Sequence, residues 1–253
     1  MRTRTWCTLG CGGLLLMACA GQSGEESGED PGQGEAPAAN WVAELPTGEA
    51  ATGLPAGEMR TIEVTEAAAQ AGAAVYAANC VPCHGADGEG RLGIGPRLNS
   101  ETFLAAASDG YLLRTIGRGR TGTTMPAWGP TLERQEVESV IAYMRNWQDV
   151  EPAELNDDAC EGDAEAGAAR FREICAACHG LGGAGYQETS NGTGIGRSAF
   201  LADVSNGYLR YIVEHGKSNT PMRPFGRPEA TAVANLTPDD IENVIAHLRA
   251  SAW

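Results

Sequence analysis

Lysine is almost absent from this chain. Lys217 is the only one, and arginine supplies every other base. No ring of lysines can therefore frame a docking face. The formal net charge is −15, whereas a nucleic-acid binder needs a cationic surface to meet phosphate. Nucleic acid is thus not an expected partner. Long apolar runs are missing too. The apolar stretch near the N-terminus ends Leu14-Leu15-Leu16-Met17-Ala18. It is shorter than the about 20 residues that a membrane-spanning helix requires. No general acid–base constellation stands out in the sequence.

What is present at the N-terminus is a basic start, Arg2 and Arg4, ahead of that short apolar stretch. This pattern predicts an export signal over residues 1–18. Leu16-Met17-Ala18-Cys19 resembles the lipobox of bacterial lipoproteins, which implies Cys19 as the lipid attachment site. The alternative is an ordinary signal cut near Ala20. Residues 19–60 are dominated by Gly, Glu, Ser, Pro and Ala, with acids far outnumbering the single base, Arg60. Such a segment cannot bury enough apolar surface to offset its ordering entropy. It is expected to be a flexible, acidic tether, in which Trp41 and Leu45 are lone apolar residues without a role, the alternative being that they dock on a partner or on the first domain. A second acidic run, Gln148–Glu165, contains no base before the helix that follows. It marks a seam between two domains, residues 61–150 and 151–253.

Two short motifs carry chemistry. Cys80-Val81-Pro82-Cys83-His84 recurs as Cys175-Ala176-Ala177-Cys178-His179. C-x-x-C-H is the attachment signature of c-type haem. The two thiols add across the haem vinyl groups, and the adjacent imidazole reaches the iron. A zinc knuckle or a redox dithiol is the competing reading, but zinc would need two more Cys or His ligands at each site. The expected cofactor is therefore two covalently bound haem c groups. Haem attachment of this kind occurs outside the cytoplasm, which agrees with the export signal.

The chain beyond Arg60 is one unit written twice. Gly72, Tyr76 and Cys80 recur with the same spacing as Gly167, Phe171 and Cys175. Gly110-Tyr111-Leu112 matches Gly207-Tyr208-Leu209, and each Gly stands the same distance before a Met, Met125 or Met222. Val137, Val140, Ile141 and Met144 fall at i, i+3, i+4 and i+7, one face of a helix. Helices are expected over Thr65–Asn79, Ser100–Ala107, Gly110–Ile116 and Leu132–Trp147, with Gly162-Asp163 and Thr237-Pro238 as helix starts in the second repeat. The fold class is all-α.

Both repeats resemble class I cytochrome c domains, each a small helical fold around a covalent haem. The resemblance covers about 65–147 and 163–251. It implies a first helix whose Gly and aromatic meet the last helix, where Tyr143 and His247 stand. Thr124-Met125-Pro126-Ala127-Trp128-Gly129 resembles the family's Met-ligand loop closely, and Pro221-Met222-Arg223-Pro224-Phe225-Gly226 more loosely. The iron ligands implied are His84 and Met125, and His179 and Met222. Gly95-Pro96-Arg97-Leu98 resembles the loop whose Pro carbonyl accepts from the proximal histidine, which gives Pro96 a place in the first haem site. The second repeat offers Gly194-Ile195-Gly196-Arg197, without Pro, so another carbonyl must serve His179. Arg118, Arg120, Lys217 and Arg223 flank the two Met loops and could steer a partner or pair with haem propionates. Cys160 is left without a role and is expected to be an inert thiol.

The resemblance implies a membrane-tethered, two-haem electron carrier, not an enzyme. It would sit on the periplasmic or other extracytoplasmic side of a bacterial membrane. Its partners would be redox proteins, from a quinol-oxidising or other dehydrogenase complex to a terminal oxidase or other acceptor. Two alternatives stand beside it: a redox enzyme of the two-haem peroxidase or thiosulfate dehydrogenase type, and a fixed cytochrome subunit of a larger respiratory complex.

Overall fold

Thr65 starts the first helix of the repeat: its hydroxyl accepts from Ala68 N–H at 3.1 Å, satisfying one of the N-terminal amides that a helix leaves unpaired. The structure is a computed structural model that describes residues 41–46, 59–189, 191–226 and 234–253. The expected signal, Cys19 and most of the tether lie outside the described residues. Helix α1 runs Glu66–Asn79 and α2 is the single turn Val81–His84. Helices α3 (Glu101–Ala106), α4 (Asp109–Arg118) and α5 (Arg134–Arg145) complete the first repeat. The second repeats the order. Helix α6 (Ala164–Arg170) continues through a widened turn at Phe171–Cys175 into α7 (Ala176–His179), followed by α8 (Ser198–Asp203), α9 (Asn206–His215) and α10 (Pro238–Ala250). Among the described residues there is no strand, only an isolated bridge between Arg91 and Gly95.

The expected helix starts are present. Asp163 accepts from Glu165 and Ala166 N–H groups, and Thr237 forms a capping box with Asp240, with Pro238 in the first turn. The first and last helices of each repeat cross closely. A Cβ on Gly72 would overlap the Ser139 carbonyl of α5, and one on Gly167 would overlap the Asn243 carbonyl of α10. The glycines are there because no larger residue fits. Tyr76 then fills the first crossing, with ring centroids 5.5 Å from Tyr143 and 5.4 Å from Trp147. In the second, Phe171 meets His247 at 5.3 Å, so His247 is a packing residue.

One expectation is corrected. The acidic segment is not a free tether through residue 60. Trp41–Glu44 forms a 3-10 turn, and Trp41, Leu45 and Met59 are buried against the first repeat. Trp41 Nε1–H donates to Leu132 O at 3.0 Å, and Arg60 donates to Leu104 O at 2.8 Å. Apolar burial and satisfied carbonyls outweigh the ordering entropy for these few residues. Arg118 and Arg120, which flank the first Met loop, lie where the two repeats pack on each other within one compact unit, Ala36–Trp253. Arg114 and Arg118 both reach Asp203 of the second repeat, at 3.2 and 3.5 Å. Ser218 N–H donates to Thr102 Oγ1 at 2.9 Å, and Gln187 Nε2 to Gly122 O at 2.5 Å. Equivalent residues meet reciprocally across this seam. Tyr111 lies 5.4 Å from Tyr208, Arg120 sits over the Phe200 ring at 4.8 Å, and Lys217 sits over the Phe103 ring at 4.6 Å.

Candidate haem-binding sites

Helix α1 delivers Cys80 directly into the turn that holds Cys83 and His84. The amides of Cys83 and His84 both bond back to Cys80 O, so the three chemical groups leave one turn of chain. Gly85, at φ 81°, ends that turn in the left-handed region. The second motif is built alike, ending at Gly180 with φ 82°. None of Cys80, Cys83, Cys175 and Cys178 is paired in a disulfide. Burial, followed by the neighbouring motif cysteine, pushes Cys80 and Cys175 up to about 11. These are apolar positions suited to thioethers. Among the described residues no group of three or more His, Cys, Asp or Glu is gathered to hold a metal ion, so the zinc reading gains no support.

The two proximal histidines are oriented by carbonyls. His84 Nδ1–H donates to Pro96 O at 2.9 Å, and His179 Nδ1–H to Thr193 O at 2.8 Å. Each bond places the ring proton on Nδ1 and leaves the Nε2 lone pair available to a metal. Burial lowers the pKa of both rings, which keeps them neutral as a ligand must be. Pro96 therefore stands where the sequence placed it. For His179 the serving carbonyl belongs to Thr193, so Gly192-Thr193, not Gly194-Ile195, is the counterpart of Gly95-Pro96. The two glycines confirm the match. A Cβ on Gly95 would overlap Cys83 O, and one on Gly192 would overlap Cys178 O. Sequence reasoning missed Thr193 because any residue supplies a carbonyl. The usable signal was the glycine before it.

The two Met loops share one frame. Arg120 N–H donates to Met125 O at 3.0 Å, and Lys217 N–H to Met222 O at 2.8 Å. Met125 N–H donates to Thr123 Oγ1 at 3.2 Å, and Met222 N–H to Thr220 Oγ1 at 3.1 Å. The returning strand of each loop is pinned as well, Trp128 N–H to Ile116 O and Phe225 N–H to Val213 O, both at 3.1 Å. Where the first loop has Gly122 at φ 74°, the second has Asn219 at φ 60°, the type of residue that best tolerates that region after glycine. The loose sequence match at Met222 thus conceals the same turn. Both Met side chains are part-buried.

Basic groups gather at the seam. Arg120 donates to the Tyr111 hydroxyl. Burial, and then the charges of Arg97 and Arg120, push Lys217 down to about 7. Among the described residues no carboxylate lies in ion-pair contact with Arg97, Arg120 or Lys217. Cys160 stands apart from both motifs. Its Sγ–H donates to Glu242 O at 3.3 Å and burial raises its pKa, the behaviour of an unreactive thiol. His215 stacks on Tyr211 at 4.2 Å and is exposed. Two thiols and an oriented neutral imidazole on one turn, with a thioether on a braced loop, fit a covalent haem in each repeat.

Comparison with known proteins agrees with this geometry. Residues 67–144 match the family model for cytochrome c oxidase, cbb3-type, subunit III, and residues 164–252 match that for cytochrome c. The cbb3-type cytochrome c oxidase subunit FixP of Azorhizobium caulinodans is 33% identical over 133 residues, covering 50% of this chain and 43% of its own. The corresponding subunit CcoP of Rubrivivax gelatinosus is 30% identical over 148 residues, covering 58% and 45%. The chain thus spans less than half the length of these relatives. Among solved structures, a reducing HAO-like protein complex of Kuenenia stuttgartiensis aligns over 76% of this chain and 98% of its own, with 20% identity and a TM-score of 0.45. That likeness is too low to bear on function.

Proposed function

Because this chain is a two-haem c-type cytochrome, with two tandem cytochrome c-type domains that each bind one haem covalently, we propose that it transfers electrons in a respiratory chain as a cytochrome subunit seated on a terminal oxidase. The observation that carries this is the match of residues 67–144 to subunit III of cbb3-type oxidases, joined to a second domain with the same ligand frame. Each haem supplies a one-electron Fe(III)/Fe(II) couple. His84 and Met125 would hold the first iron, and His179 and Met222 the second. Pro96 and Thr193 orient the imidazoles. The Met loops present a neutral thioether, which favours Fe(II) and raises the reduction potential relative to a second imidazole. Arg97, Arg120 and Lys217 are placed to pair with the carboxylates of haem at the seam. With a His and a Met placed to hold each iron, neither would be left open to peroxide or thiosulfate.

A second reading is favoured by Leu16-Met17-Ala18-Cys19: a carrier held by lipid at Cys19 on the extracytoplasmic face of a membrane. Among the described residues no helix is long and apolar enough to cross a membrane. One purification separates the two. Under mild detergent, a subunit leaves the membrane together with oxidase in fixed ratio, whereas a carrier leaves alone and Cys19→Ser releases it or blocks its maturation. Robust turnover of peroxide or thiosulfate would overturn both in favour of an enzyme.

A further inference from the structure

We propose that Trp41–Pro46 is a strap that locks the first Met loop, with Trp41, Val42 and Arg118 as positioning residues for Met125. The inference rests on the reading of Met125 as an iron ligand. The stem of that loop is a short ladder, in which Trp128 N–H donates to Ile116 O at 3.1 Å and Gly129 N–H donates to Gly117 O at 3.0 Å. The strap lies on this ladder. A Cβ on Gly117 would press into the Trp41 ring, and one on Gly129 would overlap Val42 Cγ2. Both glycines are thus kept bare by the strap. Trp41 is only 5% exposed. Its Nε1–H donates to Leu132 O at 3.0 Å, three residues beyond Gly129, so one side chain touches both sides of the stem. Arg118, between the ladder and the loop, donates to Leu45 O at 2.7 Å and Pro46 O at 3.2 Å. The strap is therefore fastened at both ends.

The second domain does this differently. Its stem glycine, Gly226, packs on Glu214, and Leu236 N–H donates to Phe225 O at 2.6 Å. Among the described residues, no segment from outside the domain is used at these positions. A loop that carries a ligand without a helix must open for the ligand to leave, and opening the first stem would strip Trp41 of its contacts. The strap thereby slows loss of the sulfur ligand at one haem and not at the other.

The test uses the full-length ferric protein, with imidazole as the competing ligand and the near-infrared sulfur-to-iron band as the readout. Trp41→Ala should speed the displacement of half of the band by about tenfold, the factor expected when part of a buried Trp contact is lost. The other half should keep its wild-type rate. Val42→Ala should shift the same half in the same direction by less, and it serves if Trp41→Ala does not fold. Met125→His is the control. If it removes half of the band while both strap variants exchange at the wild-type rate, the strap proposal is wrong. If Met125→His leaves the band whole, the ligand assignment is wrong, and the strap falls with it for that separate reason.

Discussion

In the first domain the proximal histidine leans on the carbonyl of a proline; in the second it leans on that of a threonine two places further along the loop. Other differences run the same way. Tyr76 packs in an aromatic trio with Tyr143 and Trp147, and its hydroxyl donates to Gly85 O at the end of the haem-attachment turn. Among the described residues, Phe171 has only His247 as a ring partner, and it has no hydroxyl to give. Arg145 is buried in an ion pair with Asp109 at 2.7 Å, and Asp109 also accepts from the amides of Thr61 and Ile62. The equivalent Arg249 meets Asn206 at 3.0 Å. The first domain is braced by a strap, a hydroxyl and a charge pair. The second keeps the ligand frame and drops these braces. The skeleton that places the ligands is thus separable from the contacts that stiffen it, and the stiffening contacts are where two haems of one design can diverge.

The sharpest way to break this comparison is to remove the charge pair. Asp109→Ala leaves the Arg145 guanidinium buried without its partner and should cost about 3–5 kcal/mol. Asn206→Ala removes a neutral partner and should cost about 1 kcal/mol. Denaturant unfolding of each variant measures both, and equal losses would erase the distinction. Next come the potentials. A redox titration should resolve two steps, because the surroundings of the two histidines differ. Met125→His should lower one step and Met222→His the other. A single step in the wild type would show the haems to be equivalent. The smallest effect concerns pH. Burial, and then Arg172, lower the pKa of His247, so the unfolded chain binds its proton more readily than the folded one. Its contribution to stability is complete above its ordinary pKa of about 6.5 and is lost as pH falls below it. His247→Tyr, which copies Tyr143, should flatten that decline between about pH 8 and pH 5 without changing stability at the upper end. An unchanged slope would mean that other groups set it.

Much of the ligand skeleton was legible because its signals are local. C-x-x-C-H places three groups on one turn, and Gly72 with Tyr76 at fixed spacing marks a close helix crossing. Thr65, Asp163 and Thr237 announce their helices through short-range caps. Thr193 was not legible, since the group that matters there is a backbone carbonyl, chosen by the loop path and not by the side chain. Trp41 was hidden for another reason. It is a single apolar residue in an acidic segment with no periodicity, and its binding surface is made by Gly117 and Leu132, which are far away in sequence. Arg118 gave no sign in the sequence of its partner, Asp203, because that residue lies in the other domain. The contacts of Trp41 and Arg118 are long-range, and long-range contacts leave no period in the chain.

The reciprocal contacts at the seam have a consequence of their own. Tyr111 meets its own counterpart Tyr208, while Arg120 reaches Phe200 as Lys217 reaches Phe103. A patch that meets itself, with residue i touching j as j touches i, is how two identical subunits associate about a twofold axis. This polypeptide holds within one chain what a homodimer would hold in two. Fusion replaces an encounter in solution by a high effective concentration, so the interface no longer needs affinity sufficient to assemble by itself. Its two sides are then free to become unlike, as arginine on one and lysine on the other already are.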